Sequence, residues 1–67
     1  MNTQLLKGKM VAFGDTQAKL AKAIGMSASN FNDKINGKAP FRQNDILAIR
    51  ERYHLTPEEV DLIFFAA

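Results

Sequence analysis

Apolar positions along this chain recur every three or four residues, and no segment alternates between apolar and polar residues as a half-buried strand would. Glycine and proline lie only at the boundaries of the periodic segments, apart from Gly8. The pattern therefore predicts an all-α fold, with five helices and no sheet. The expected helices cover residues 3–13, 17–24, 28–36, 43–53 and 57–65.

Each predicted helix has an apolar stripe, and together these stripes form the expected core. The side chains expected to face inward are Leu6, Met10, Phe13, Leu20, Ala21, Ile24, Phe31, Ile35, Ile46, Ile49, Tyr53, Val60, Ile63 and Phe64. The C-terminal run has more apolar bulk than one helix face can bury. Leu62 and Phe65 are therefore candidates for an exposed surface that contacts a partner.

Capping residues support these boundaries. We expect Thr16 to cap the second helix, with Asp15 as the alternative, and Ser27 to cap the third. Residues 56–59, Thr-Pro-Glu-Glu, have the spacing of a capping box with proline at the first helical position. The expected stop signals are three glycines that can take the left-handed conformation, Gly14, Gly25 and Gly37.

Length and charge narrow the class of protein. The chain has 67 residues and no cysteine, which favours one domain over residues 1–67 and excludes disulfides. The net charge is only +2, but residues 1–42 hold seven Lys or Arg against two acids, and residues 43–67 hold two Arg against five acids. A basic half of this kind suits a surface that contacts phosphate groups.

Catalytic and metal chemistry find little support. His54 is the sole histidine, and we expect it to interact with the C-terminal dipole of the fourth helix. The Gly37-Lys38 pair lacks the other residues of a phosphate-binding loop. We therefore expect no enzyme activity, cofactor, metal site or small-molecule substrate.

No targeting or membrane segment is predicted. Lys7 and Lys9 interrupt the apolar residues of the N-terminus, as a secretory signal would not. The longest apolar run, residues 62–67, is far shorter than the roughly 20 residues that span a bilayer. We therefore expect a cytoplasmic protein of a bacterium or an infected host cell, without membrane contact.

The most informative segment is residues 16–37, which predicts two short helices joined by a tight turn. A pair of helices that binds DNA needs apolar anchors on both helices, a small residue where they cross and a glycine in the turn. All of these are present, as Leu20, Ala21, Ile24, Gly25, Met26, Phe31 and Ile35.

This segment resembles the lambda-repressor/Cro-like helix-turn-helix family, also called the Xre-type family. The matching residues are Gln17, Leu20, Ala21, Ile24, Gly25, Met26, Ser27, Phe31 and Gly37. Five helices with the motif in the second and third are also that family's layout. Lys34 departs from the pattern, since many members have a second apolar residue there. We expect its stem to lie on the core and its charge to reach toward phosphate.

The resemblance implies a sequence-specific DNA-binding regulator, a phage or prophage repressor whose third helix enters the major groove of double-stranded DNA. At 100° per residue, Ser29, Asn32, Asp33 and Asn36 face outward. The resemblance places base contacts at Ala28, Ser29, Asn32 and Asp33. The expected contacts to the DNA backbone are Gln17, Ser27, Lys34, Asn36, Lys38 and Arg42. A weak homodimer formed through Leu62 and Phe65 would read a palindromic operator.

Two alternatives stay open. The chain could be a helical protein-binding module, such as an antitoxin-type or anti-repressor-binding protein, with Leu62 and Phe65 contacting a different protein. It could also bind DNA as a monomer within a larger assembly. A tight heteromeric partner would distinguish the first alternative from the operator-binding regulator.

Overall fold

Five α-helices followed by one π-helix make up the fold in the computed structural model, which describes residues 1–66. They are α1 Thr3–Ala12, α2 Gln17–Ala23, α3 Ala28–Ile35, α4 Gln43–Tyr53, α5 Pro57–Val60 and the π-helix Asp61–Phe65. The all-α prediction is confirmed. Within residues 1–66, no helix has both the length and the apolarity that crossing a bilayer requires.

The first three helices each end one residue earlier than predicted. Phe13, Ile24 and Asn36 occupy the C-cap positions, with ψ near 0° instead of a helical value. The glycine that follows each cap has a positive φ, between 72° and 80°, so the predicted glycine stops are confirmed. α4 ends differently, because His54 itself takes the left-handed conformation with φ 52°.

Side-chain caps start the helices as predicted. The Thr16 hydroxyl accepts a hydrogen bond from the Lys19 N–H, and the Ser27 hydroxyl accepts one from the Asn30 N–H, both at 3.1 Å. The alternative prediction, that Asp15 caps α2, is wrong. The predicted capping box of α5 is formed, since residues 56 and 59 exchange hydrogen bonds of 3.0 and 3.1 Å.

One core joins all five helices and the π-helix. Its buried members are Leu6, Met10, Leu20, Ala21, Phe31, Ile35, Ile49, Tyr53, Leu55 and Ile63. Ile24, Met26, Phe41, Val60 and Phe64 are partly buried and pack against it. The prediction for Phe13 is wrong: the residue is 50% exposed, because α1 has already ended there. Its ring instead covers Tyr53, with the two centroids 4.9 Å apart.

The C-terminal segment departs from the single α-helix predicted over residues 57–65. After Val60 the chain widens into a π-helix, and the Ala66 N–H donates to the Asp61 carbonyl five residues back, at 2.8 Å. The Asn2 N–H donates to the carbonyl of buried Ile63 at 2.7 Å, which ties the two ends of the chain together. Leu62 and Phe65 are exposed, as expected.

A buried carboxylate fastens the α1–α2 loop to α4. Asp15 accepts two hydrogen bonds from Arg52, at 2.8 and 2.7 Å, and one from the Tyr53 hydroxyl at 2.6 Å. Hydrogen bonds from Arg52 and then Tyr53 lower the pKa of Asp15 to about 2. Burial, together with the hydrogen bond to this anion, raises the pKa of Tyr53. The carboxylate therefore stays ionised over the ordinary pH range.

Candidate nucleic-acid interface

α2 and α3 form a compact pair of helices joined by a short turn. Ala21 is only 1% exposed where the two helices approach. Gly25 has φ 76°, and the next residue, Met26, donates its N–H to the Ala21 carbonyl at 2.9 Å. Phe31 and Ile35 are buried and hold α3 on the core. The pair therefore presents the opposite face of α3 to solvent.

That outward face of α3 consists of short polar side chains and one alanine. Its exposed members are Ala28, Ser29, Asn30, Asn32 and Asn36. Asp33 is half-buried, although the sequence placed it fully outward. The chain after α3 turns back past this residue, because the Lys38 N–H donates to the Asp33 carbonyl at 2.8 Å. We refer to the five exposed residues, together with Asp33, as the α3 face.

Three amide side chains form a hydrogen-bonded row that links the start of α2 to the end of α3. Asn32 Nδ2 donates to Gln17 Oε1 at 3.4 Å, and Asn36 Nδ2 donates to Asn32 Oδ1 at 3.0 Å. Asn32 and Asn36 are four residues apart, so their contact follows from helical geometry. The contact with Gln17 spans 15 positions and arises only because α2 packs on α3.

The middle position of this row determines what Asn32 can still bind. A side-chain amide has two N–H donors and an oxygen with two lone pairs. Asn32 uses one donor and one lone pair within the row, and it keeps one of each. The same count holds if the hydrogen bonds of the row run in the opposite direction. Asn32 therefore offers a donor and an acceptor from a side chain that its neighbours hold in place.

The ammonium group of Lys34 is paired within the chain, contrary to the expectation that it reaches toward phosphate. Its Nζ lies 2.7 Å from Asp45 Oδ2, and the two side chains are only 14% and 15% exposed. Burial raises the pKa of Asp45, but hydrogen bonds from Lys34 and from the Arg42 N–H outweigh it and leave the pKa below its ordinary value. The pair joins α3 to the start of α4.

The charge asymmetry of the sequence persists when the ion-paired side chains are set aside. Within residues 1–66, ion pairs join Lys9 to Glu59, Lys34 to Asp45 and Arg52 to Asp15. Outside them, residues 1–42 keep five basic side chains and one acidic side chain. Residues 43–66 keep one basic side chain and three acidic ones. Most of the unpaired positive charge thus lies on the part of the chain that includes α2, α3 and the loop after α3.

The other residues predicted to contact the DNA backbone differ in their exposure and in which of their polar groups remain available. Lys38 and Arg42 are exposed and follow α3 directly along the chain. Gln17 is half-buried, and its amide nitrogen stays available because the row uses only its oxygen. The Ser27 oxygen caps α3, but its O–H can still donate. Among residues 1–66, no three His, Asp or Glu side chains converge to hold a metal ion.

Comparison with known proteins gives a family but no activity. Residues 2–67 match the family described as "Protein of unknown function (DUF739)". No curated protein and no solved structure matches the chain. The match covers nearly the whole chain, so this protein belongs to the DUF739 family.

Proposed function

We propose that this protein binds double-stranded DNA in a sequence-specific manner by inserting the α3 face into the major groove. The observation that carries the proposal is the amide row. It leaves Asn32 with one free donor and one free acceptor on a face of short side chains. A side chain of this chemistry can bind adenine through N7 and the N6 amino group at once.

The neighbours of Asn32 on the α3 face suit the same role. Ser29 can donate to or accept from several bases, and Ala28 can contact the methyl group of thymine. Both are exposed at the N-terminal end of α3. Asp33 could accept from the amino group of cytosine, although its half-buried position limits its reach. The short side chains would let the helix backbone approach the base edges closely.

Contacts to the DNA backbone would come from the residues that flank α3. Lys38 and Arg42 supply unpaired positive charge, while Gln17, Ser27 and Asn36 supply neutral donors. Such contacts fix the position of a protein on the duplex without reading its sequence. Lys34 is left out of this set because Asp45 holds its ammonium group.

The regulatory outcome we propose is repression of a phage or prophage promoter by steric block. Its support is the resemblance of residues 16–37 to the lambda-repressor/Cro-like family, and it is a further step beyond DNA binding. The two steps can be tested separately, because DNA binding is measured with purified components and repression with a reporter gene.

The test of DNA binding is selection of bound duplexes from a random pool, followed by titration of the enriched sequence at several salt concentrations. We expect one enriched sequence, bound about 10³-fold or more tightly than random DNA, with affinity falling steeply as salt rises. Enrichment of no sequence, together with equal and feeble binding to all duplexes, would reject the proposal.

A second candidate function is a helical protein-binding module, and a specific observation favours it. Leu62 and Phe65 are 50% and 66% exposed, and apolar side chains that together form an exposed patch mark protein contact sites. This function would predict no enriched DNA sequence and a defined complex with one other protein. A DNA-binding antitoxin would give both an enriched DNA sequence and a defined protein complex. The complex would then distinguish it from the operator-binding regulator.

A further inference from the structure

The α3 face has no free positive charge with which to read a base. Arginine and lysine are the commonest partners of guanine in the major groove, because they donate to O6 and N7 together. The sole basic residue among residues 28–36 is Lys34, and its ammonium group lies 2.7 Å from Asp45 Oδ2. The next basic residues, Lys38 and Arg42, follow α3 along the chain. The face must therefore read bases with amide and hydroxyl groups.

The contact between Gln17 and Asn32 restricts the bases that Asn32 can bind. An asparagine amide has two N–H groups, and an unrestrained one can present both to a pair of acceptors. In this chain one of them donates to Gln17 Oε1, 3.4 Å away. The oxygen of Asn32 is also held, since Asn36 Nδ2 donates to it at 3.0 Å. What remains for DNA is one donor beside one acceptor.

This remaining pair of groups matches adenine and opposes guanine. Adenine presents an acceptor at N7 and a donor at N6, so both groups of Asn32 find a partner. Guanine presents acceptors at N7 and O6, so the Asn32 oxygen faces an acceptor whichever way the amide is turned. Reversing the hydrogen bonds of the row leaves the same count and the same conflict. Cytosine and thymine each present a single polar group there, which leaves one group of Asn32 unpaired.

Ala28 extends the preference to a neighbouring base pair. It is exposed at the start of α3, four residues before Asn32 and on the same face. Four residues rise about 6 Å along a helix, and base pairs are spaced about 3.4 Å apart. The two side chains therefore reach base pairs one or two steps apart. A methyl group packs on the thymine methyl group but gives guanine no hydrogen bond, so both positions favour A·T pairs.

We propose that the DNA target has A·T pairs where α3 reads it, with adenine in contact with Asn32. Gln17 enforces this choice because it occupies the second amide donor of Asn32. Gln17 is thus a positioning residue for base reading, as well as a candidate contact to the DNA backbone. The inference rests on the proposed DNA binding, since it names the sequences that the same face selects.

The test uses the duplex enriched by selection, altered at the base pair where Asn32→Ala loses discrimination. Replacing A·T by G·C should weaken binding of the full chain by about 5- to 150-fold. An inosine·C pair should weaken it equally, because inosine has the major-groove groups of guanine without its minor-groove amino group. A 2,6-diaminopurine·T pair is the control: it adds that amino group but keeps N7 and N6, so it should bind as A·T does.

Single-atom changes in the DNA test each hydrogen bond separately. Adenine with carbon in place of N7 should weaken binding by about 2- to 12-fold, the effect of one hydrogen bond. The same substitution should have no effect on Asn32→Ala, which lacks the donor. Uracil in place of the neighbouring thymine should weaken binding of the original chain by about fourfold, because one methyl contact is lost. Ala28→Gly should be insensitive to this change.

Two variants of Gln17 separate base reading from backbone contact. Gln17→Met removes the acceptor for the Asn32 N–H, so the ratio of affinities for the A·T and G·C duplexes should fall about 2- to 12-fold. Gln17→Glu keeps an oxygen there but loses the amide nitrogen, so it should weaken binding to both duplexes and preserve the ratio. Gln43→Met, at the first position of α4 and exposed, is the matched control and should leave the ratio unchanged.

The outcomes distinguish this inference from DNA binding itself. An enriched sequence in which Asn32 reads a G·C pair, or equal binding of the A·T and inosine·C duplexes, would overturn the inference while DNA binding stands. So would an unchanged affinity ratio in Gln17→Met, or the absence of any base pair at which Asn32→Ala loses discrimination. Enrichment of no sequence would reject DNA binding, and the inference with it.

Discussion

The carboxylate of Asp15 and the guanidinium of Arg52 face each other in a two-point contact, with hydrogen bonds of 2.8 and 2.7 Å. The contact joins residues 37 positions apart and holds the loop before α2 against the last turn of α4. It therefore fixes the position of α2, on which α3 packs. An ion pair outside the α3 face contributes in this way to the orientation of that face.

The first prediction concerns this contact. Asp15→Asn should lower the free energy of unfolding at pH 7 by about 1–3 kcal/mol, because it removes the charged acceptor that Arg52 and Tyr53 share. Urea unfolding followed by circular dichroism measures the change. Asp33→Asn is a matched control, since the Asp33 side chain makes no hydrogen bond or ion pair within residues 1–66, and it should change stability little.

The pH dependence of this effect has a definite sign. The pKa of Asp15 is about 2 in the folded chain, below the ordinary value of 3.8. A depressed pKa stabilises the fold above the ordinary value, and this contribution is lost as the pH falls toward the folded value. The stability difference between wild type and Asp15→Asn should therefore shrink between about pH 4 and pH 2. A difference that stays constant over that range would contradict the assignment.

A second prediction separates two neighbouring lysines. Lys38→Gln should weaken binding to all DNA sequences alike and reduce the slope of log K against log salt by about 0.9, the value for one phosphate contact. Lys34→Met should leave that slope unchanged, because Asp45 already holds the ammonium group. It should instead lower the free energy of unfolding by roughly 1–3 kcal/mol, since a mostly buried carboxylate loses its partner.

Salt titration of the enriched duplex, with urea unfolding of each variant, measures both effects. The two variants each remove one positive charge, so a general loss of charge would affect them equally. An equal fall in slope for Lys34→Met would mean that Lys34 leaves Asp45 to bind phosphate, as the sequence alone had suggested.

What the sequence could predict was mostly local. Caps at Thr16 and Ser27 and glycine stops such as Gly25 act within one helical turn, so residue types at fixed spacing were enough to place the helices. The buried anchors of α3 followed from periodicity in the same way. The contact between Asn32 and Asn36 was also within reach, because both lie on one face four residues apart.

The remaining features depend on packing between distant segments. The partner of Lys34 is 11 positions away, and Gln17 meets Asn32 across 15 positions. No pattern of residue types over a few positions indicates either of these two contacts. The Ile63 carbonyl of the π-helix accepts a hydrogen bond from the Asn2 N–H, which joins the two ends of the chain. Sequence periodicity could not distinguish this winding from an α-helix of the same length.

A third prediction tests the reading residue itself. Asn32→Ala should remove discrimination at a base pair of the enriched sequence, because the donor and acceptor for adenine are lost. The binding free energy that distinguishes the preferred base there should fall by about 1–3 kcal/mol. Competition binding with single-base variants of the enriched duplex measures it. Asn44→Ala is the matched control: this side chain is exposed on α4, outside both the amide row and the α3 face. Unaltered discrimination in Asn32→Ala would remove Asn32 from the base contacts.

The fourth prediction tests whether the row positions Asn32. Asn36→Ala removes the donor to Asn32 Oδ1 and lets the Asn32 amide rotate more freely. We therefore expect weaker discrimination at the same base pair that Asn32→Ala affects, by a smaller amount. If Asn36 only contacted phosphate, binding to all sequences would weaken equally. Competition binding distinguishes these results because it reports each base pair separately.

A double-mutant cycle makes the fourth prediction quantitative. If Asn36 acts on base reading through Asn32, its removal has no further effect on discrimination once Asn32 is alanine. The variant Asn32→Ala/Asn36→Ala should then discriminate as Asn32→Ala does, so the two single effects should not add. Additive effects would mean that each asparagine acts independently on DNA. The contact of 3.0 Å between them would then be a feature of the free protein without a role in base reading.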